Sequence, residues 1–92
     1  MKVVMLGITY DVKTLAKETQ DKANILGLYD SNLETIYLAD DMPKGLHKRT
    51  FLHELIHMVD DHFEIGINEK QTSRFAAGLL GITVDGHGII RL

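Results

Sequence analysis

The chain of 92 residues contains no cysteine, no tryptophan and only one proline. Without cysteine it can form neither a disulfide nor a thiolate metal site, so any metal would be bound by histidine, aspartate and glutamate. Positive charge is not in excess either, since the formal net charge is −3 at pH 7. No basic face is evident, and we therefore expect no binding to nucleic acid through its phosphates.

Long apolar runs are missing as well. The N-terminal run VVMLGI is short and is followed by no small-residue cleavage site, so it predicts a strand rather than a signal peptide. No segment approaches the roughly 20 apolar residues of a membrane span. These features predict a cytoplasmic protein with no membrane partner, folded as a single domain over residues 1–92.

The patterns that are present predict an α+β fold. Runs rich in β-branched and aromatic residues predict strands, and the first run contains Gly7, which indicates either one bulged strand or two short strands. Apolar residues that recur every three or four positions predict helices. The predicted elements are a strand region over 2–12, a short helix or irregular connection over 12–24, hairpin-paired strands over 25–30 and 34–39, a loop over 40–45, helices over 46–62 and 68–81, and an extended tail over 82–92.

The motif HELIH, residues 53–57, carries the main chemical signal. Two histidines four residues apart on a helix share one face, so the ring nitrogens of His53 and His57 can converge on one ion. Glu54 follows the first histidine directly and can reach a metal-bound water without being a ligand. The pattern H-E-x-x-H therefore predicts two metal ligands and a general base.

The alternative is that both histidines are solvated polar residues on a surface helix, since the chain contains five histidines. The surrounding pattern favours the metal site, because an apolar stripe gives this helix a buried side. The apolar residues of the helix are Leu46, Phe51, Leu52, Leu55, Ile56, Val59 and Phe63, and their spacings of three and four from Leu52 onward mark one buried stripe.

A catalytic zinc usually has three protein ligands and one open position, so a third ligand is needed. His62 lies about 140° around a regular helix from His57 and cannot face the same ion. Asp60 lies about 10 Å along the axis from His53, which is too far for all three to meet. Asp61, one turn beyond His57, suits a role as hydrogen-bond acceptor for a ligand imidazole.

Glu69 is the remaining candidate. It lies twelve residues after His57, beyond a turn at Gly66 and directly after Asn68, which can cap the second helix. An antiparallel second helix would return this carboxylate to the first helix, and two histidines with one glutamate favour zinc. The alternative is that Glu69 only stabilises the N-terminus of its own helix.

An oxyanion-stabilising residue is not placed by the sequence. Tyr10, Tyr37, Arg74 and His87 each carry a suitable donor. None of them can be assigned to the cleft from spacing alone, and each has a plainer interpretation as a structural or exposed residue.

Three segments resemble one known family. ETIYLADDM, HKRTFLHELIHMVDD and NEKQTSRFAAGLL, within residues 34–81, are similar to the ImmA/IrrE family of zinc metallopeptidases and to related small phage-encoded HExxH metallopeptidases. Thr50 stands three residues before His53, as the family's threonine does. Glu69 stands six residues before Phe75, where the family's third zinc ligand stands.

The resemblance implies a minimal zincin-like domain, with a small antiparallel sheet packed on the HExxH helix and a following helix. It also implies zinc bound by His53, His57 and Glu69, with Glu54 as general base. In such folds the substrate pairs with an edge strand, for which residues 36–39 are the candidate. The expected setting is the cytoplasm of a bacterial host cell, with a protein substrate such as a repressor or host regulatory protein.

The main hypothesis is therefore a zinc metalloendopeptidase. Family members usually carry more sequence around the core, so two alternatives remain. One is a phage-encoded module that binds and inhibits a host factor on a zincin scaffold without turnover. The other is a structural metal domain in which His62 or His87 supplies a fourth ligand.

Overall fold

The computed structural model describes residues 1–89, which form an α+β fold with three helices, a four-stranded mixed sheet and a short C-terminal hairpin. This confirms the predicted α+β class, and the zincin-like architecture stays a prediction. The elements are β1 (Lys2–Met5), β2 (Ile8–Thr14), α1 (Lys17–Ala23), β3 (Gly27–Asp30), β4 (Thr35–Leu38), α2 (Lys44–Phe63), α3 (Glu69–Leu80), β5 (Thr83–Val84) and β6 (His87–Gly88).

The first strand region forms two strands, which was one of the two predicted possibilities. Leu6 and Gly7 both have positive φ, 51° and 80°, and join β1 to β2 in a tight antiparallel hairpin. Two-residue turns with positive φ match the right-handed twist of the strands they connect. Gly7 therefore marks a turn and not a bulge.

The sheet is mixed, so the expectation of an antiparallel sheet was wrong. Its strand order is β1-β2-β4-β3, and β2 pairs with β4 in parallel. The reason is that α1 carries the chain from β2 to the far edge before β3 begins. The hairpin return then places β4 between β2 and β3, where it runs parallel to β2 and antiparallel to β3.

The core lies between one face of the sheet and α2. Its buried members are Tyr10, Ile36, Leu38, Phe51 and Met58. The predicted stripe on α2 is only partly buried. Phe63, at the end of that stripe, is 53% exposed because it lies in the last turn of α2, and Leu46 in the first turn is 39% exposed.

The C-terminal segment forms a hairpin where the sequence predicts an extended tail. Strands β5 and β6 are joined through Asp85 and Gly86, which both have positive φ. Residues 90–92 of that predicted tail lie outside the described residues. Within the described chain, no helix is long and apolar enough to cross a membrane.

Candidate metal centre

Helix α2 places the two histidines of the motif side by side. The Nε2 atoms of His53 and His57 lie 3.0 Å apart, and their ring centroids are 4.7 Å apart. Both side chains are partly buried and line an open cleft. The spacing of one helical turn therefore produces the convergence that the sequence predicts.

Helix α3 brings Glu69 to the same point. Its Oε2 atom lies 3.0 Å from Nε2 of His53, and its Oε1 atom lies 2.7 Å from Nε2 of His57. Glu69 is in the first turn of α3, directly after Asn68, whose side chain accepts a hydrogen bond from the backbone N–H of Gln71. The predicted cap is confirmed, and it sets the start of the helix that carries the carboxylate.

The turn between α2 and α3 is held by Asp60. Its Oδ1 atom accepts hydrogen bonds from the backbone N–H groups of Gly66, at 2.6 Å, and Ile67, at 3.2 Å. The turn also uses left-handed conformations at Glu64, with φ of 51°, and at Gly66, with φ of 84°. Asp60 thus organises the return of the chain towards α2 and is not one of the three converging side chains.

The three donor groups fit a single small cation. One atom from each of His53, His57 and Glu69 lies within 4.8 Å of the other two. Ligands of tetrahedral zinc at about 2.0–2.1 Å lie about 3.3 Å from one another, close to the separations of the described atoms. Lone pairs that meet this closely repel each other unless a proton or a cation lies between them, and one cation satisfies all three.

Within residues 1–89 the cluster contains three donor residues and no fourth. The ring of His62 packs edge-on against Phe63, with centroids 4.9 Å apart, and His87 lies exposed in β6. Neither histidine belongs to the cluster. Three protein donors are the number that leaves a coordination position open on a tetrahedral ion.

Ser73 is a site residue that the sequence analysis missed. Its Oγ atom lies 3.4 Å from Nδ1 of His53, on the side of the ring opposite the cluster. In the tautomer whose Nδ1–H donates a hydrogen bond to this oxygen, the lone pair is on Nε2, the nitrogen that faces the cluster. The available signal was spacing, since Ser73 lies four residues after Glu69 and shares its face of α3.

Asp61 takes a different partner from the one expected. Its Oδ2 atom accepts a hydrogen bond from the hydroxyl of Tyr29 at 3.2 Å, and the described hydrogen bonds connect it to neither cluster histidine. The contact links β3 to α2 across the cleft. Burial, followed by the charge of Asp61, raises the pKa of Tyr29 to about 12, so its hydroxyl stays protonated at neutral pH.

Glu54 is buried, with a relative exposure of 7%, although it adjoins an open cleft. Burial is the main cause that raises the pKa of this carboxyl group, and the charge of Glu69 acts in the same direction. His53, His57 and the backbone N–H of Tyr29 lower the pKa and partly offset the effect of burial. A carboxylate in this environment accepts a proton more readily than an exposed one.

The cleft, of about 870 Å³, lies between β3 and α2. The strand at this edge of the sheet is β3, so the assignment of residues 36–39 to the edge was wrong. Those residues belong to β4 and the segment after it, and β4 is paired on both sides. Local patterns do not reveal the order of strands, which depends on pairing between distant segments.

The edge of β3 that is not paired with β4 faces the cleft. The carbonyl of Leu26 accepts a hydrogen bond from the N–H of Ala39 at 2.8 Å and therefore points towards β4. In an antiparallel pair these directions alternate, so the backbone groups of Gly27 and Tyr29 point away from β4. This edge can accept another extended chain.

None of the four residues considered as oxyanion stabilisers lines the cleft. Tyr10 is buried in the core, Tyr37 lies in β4, and Arg74 and His87 are exposed elsewhere on α3 and β6.

Comparison of the chain with models of protein families, with curated proteins and with solved structures found no match.

Proposed function

We propose that the protein is a zinc-dependent metallopeptidase that hydrolyses a peptide bond in a protein substrate. The observation that carries this proposal is the convergence of His53, His57 and Glu69 beside the buried carboxyl group of Glu54. The HELIH motif, a third ligand from the next helix and an open cleft are the features expected of an ImmA/IrrE-like zincin, the family that the sequence resembles.

His53, His57 and Glu69 would hold the ion. When bound, zinc in such a site acidifies water and polarises a substrate carbonyl. The three-donor cluster favours a catalytic over a structural site, because structural zinc sites are closed by four protein ligands.

Glu54 would act as the proton carrier. It would remove a proton from the attacking water and deliver that proton to the nitrogen of the leaving amine. Its burial supports this role, since a raised pKa brings the carboxyl group closer to the pH at which it must both accept and release a proton.

The substrate would bind as an extended chain along β3. The outward backbone groups of Gly27 and the outward carbonyl of Tyr29 provide the hydrogen-bonding edge, since the N–H of Tyr29 already bonds to Glu54. The histidine pair lies on α2 across the cleft. Strand addition uses main-chain hydrogen bonds and therefore suits an unfolded or exposed segment of a protein. A repressor or host regulatory protein remains the substrate class that the family resemblance favours.

The experiment compares wild type with Glu54→Gln. Zinc content is measured by plasma mass spectrometry, and cleavage of a proteome-derived peptide mixture is measured by mass spectrometry. We expect the variant to keep one zinc per chain and to lose about 10²–10⁴-fold in rate, the usual contribution of a general base.

The matched control is Glu64→Gln, a change of the same type at an exposed position outside the cleft, which should cleave like wild type. Equal cleavage by Glu54→Gln would refute the role of Glu54. A wild-type protein that binds zinc but cleaves no peptide, while still capturing an intact partner, would favour an inhibitory binding module.

A further inference from the structure

Four residues of α2 form a charged row along the cleft. Arg49, His53, His57 and Asp61 follow one another at intervals of four, and all four line the cleft. The row therefore begins with a cation, passes through the two candidate metal ligands and ends with an anion. Within residues 1–89, no carboxylate lies within salt-bridge distance of Arg49.

The ends of this row match the reach of a short extended peptide. A rise of 1.5 Å per residue places Arg49 and Asp61 about 18 Å apart along the axis, with the histidines midway. An extended chain advances about 3.3 Å per residue, so each charge lies roughly two or three residues from the centre. The helix dipole has the same polarity as the row, positive near Arg49 and negative near Asp61.

The direction of β3 determines which end of a bound chain lies near each of the two charges. A Cβ at Gly27 would contact Thr50, whereas the hydroxyl of Tyr29 reaches Asp61, so β3 and α2 run in the same sense. Antiparallel pairing is the more stable of the two ways to add a strand. A chain added in that way has its N-terminal side near Asp61 and its C-terminal side near Arg49.

We propose that Arg49 and Asp61 determine specificity, and that the cleft selects an extended segment with a basic side chain before the cleaved bond and an acidic side chain after it. The two charges lie two or three residues from that bond on either side. This inference rests on the proposed peptidase function. The carboxylate of Asp61 keeps its second oxygen available, since its described hydrogen bond uses Oδ2 alone.

The test uses two sets of fluorogenic peptides of identical composition, with mixed apolar residues at the centre. One set carries Lys before and Glu after the centre, and the other carries the reverse order. We expect wild type to cleave the first set about tenfold faster, as two partly screened charge contacts would produce. The double variant Arg49→Glu with Asp61→Lys should reverse this preference.

The matched controls are Lys48→Glu on α2 and Glu64→Lys directly after it, which change charge outside the cleft and should keep the wild-type preference. Equal cleavage of both sets by wild type would overturn the inference and leave the peptidase function standing. If neither set is cleaved, binding to Glu54→Gln is measured by fluorescence anisotropy. Selective binding of the first set would then support the proposed charge preference and refute turnover by the protein. Equal binding of both sets, or no binding, would refute the charge preference.

Discussion

At the scale of single residues, Glu54 is unusual because it is a buried carboxyl group in the wall of an open cleft. Its position depends on Gly27 in the neighbouring edge strand. A Cβ at Gly27 would lie 2.8 Å from Cγ2 of Thr50 and 3.2 Å from both Cγ and Oε2 of Glu54. The absence of a side chain there lets β3 approach the proposed general base.

We predict that Gly27→Ala reduces peptide hydrolysis while leaving zinc content unchanged. The added methyl group would displace Glu54, whereas the three donor residues are not among its nearest contacts. Overpacking of this kind costs about 1–3 kcal/mol. Turnover and zinc content of the purified variant are measured together.

The control is Gly78→Ala, where a Cβ would meet nothing within 4 Å and activity should be unchanged. Adding Thr50→Ser to Gly27→Ala removes the methyl group in closest contact and should restore part of the activity. Wild-type turnover in the single variant would show that Gly27 does not position Glu54.

At the scale of elements, the site depends on the turn that connects α2 to α3. The histidines need only a regular helix, but Glu69 reaches them only if the turn directs α3 back along α2. Asp60 holds that turn by two backbone hydrogen bonds, and the cap at Asn68 sets where α3 begins. The position of the third donor group is therefore a property of the connection.

We predict that Asp60→Ala destabilises the fold by about 1–2 kcal/mol through the loss of these hydrogen bonds. It should also weaken zinc binding, because Glu69 would no longer be held beside His53 and His57. Chemical denaturation and a competitive zinc titration measure the two effects.

The matched variant is Asp60→Asn, which keeps an acceptor oxygen at the same place and should retain most of the zinc affinity. Unchanged zinc binding in Asp60→Ala would mean that the turn does not position the third donor.

The elements also show how far sequence reasoning extends. The spacing of HELIH and the cap at Asn68 are local, and the structure forms both α2 and α3 where these signals predict them. The strand order and the partner of Asp61 depend on segments that meet only in the folded chain. Periodicity within one segment contains no information on those contacts, which is why β3 was not identified as the edge.

At the scale of the whole molecule, the described chain is small and its sheet is covered by α2 on one face. Residues on the opposite face of the sheet remain accessible, including Val4 at 65% and Leu28 at 39% exposure. A small core contributes limited stability, so an ion that joins α2 to α3 should matter to the fold.

We predict that zinc raises the unfolding temperature. At a free zinc concentration of 100 times Kd the gain is about 2.7 kcal/mol, which corresponds to roughly 10–20 °C for a domain of this size. Calorimetry with and without a chelator measures the shift. His57→Ala should abolish it, and His62→Ala, a histidine of the same helix outside the cluster, should keep it. An equal shift in all three proteins would contradict binding at this cluster.

The most direct measurement is anomalous diffraction at the zinc absorption edge on a crystal of the zinc-loaded protein. We expect one strong peak between Nε2 of His53, Nε2 of His57 and the carboxylate of Glu69, with a non-protein fourth ligand. The absence of a peak there, or an ion closed by four protein side chains, would contradict a catalytic metal centre.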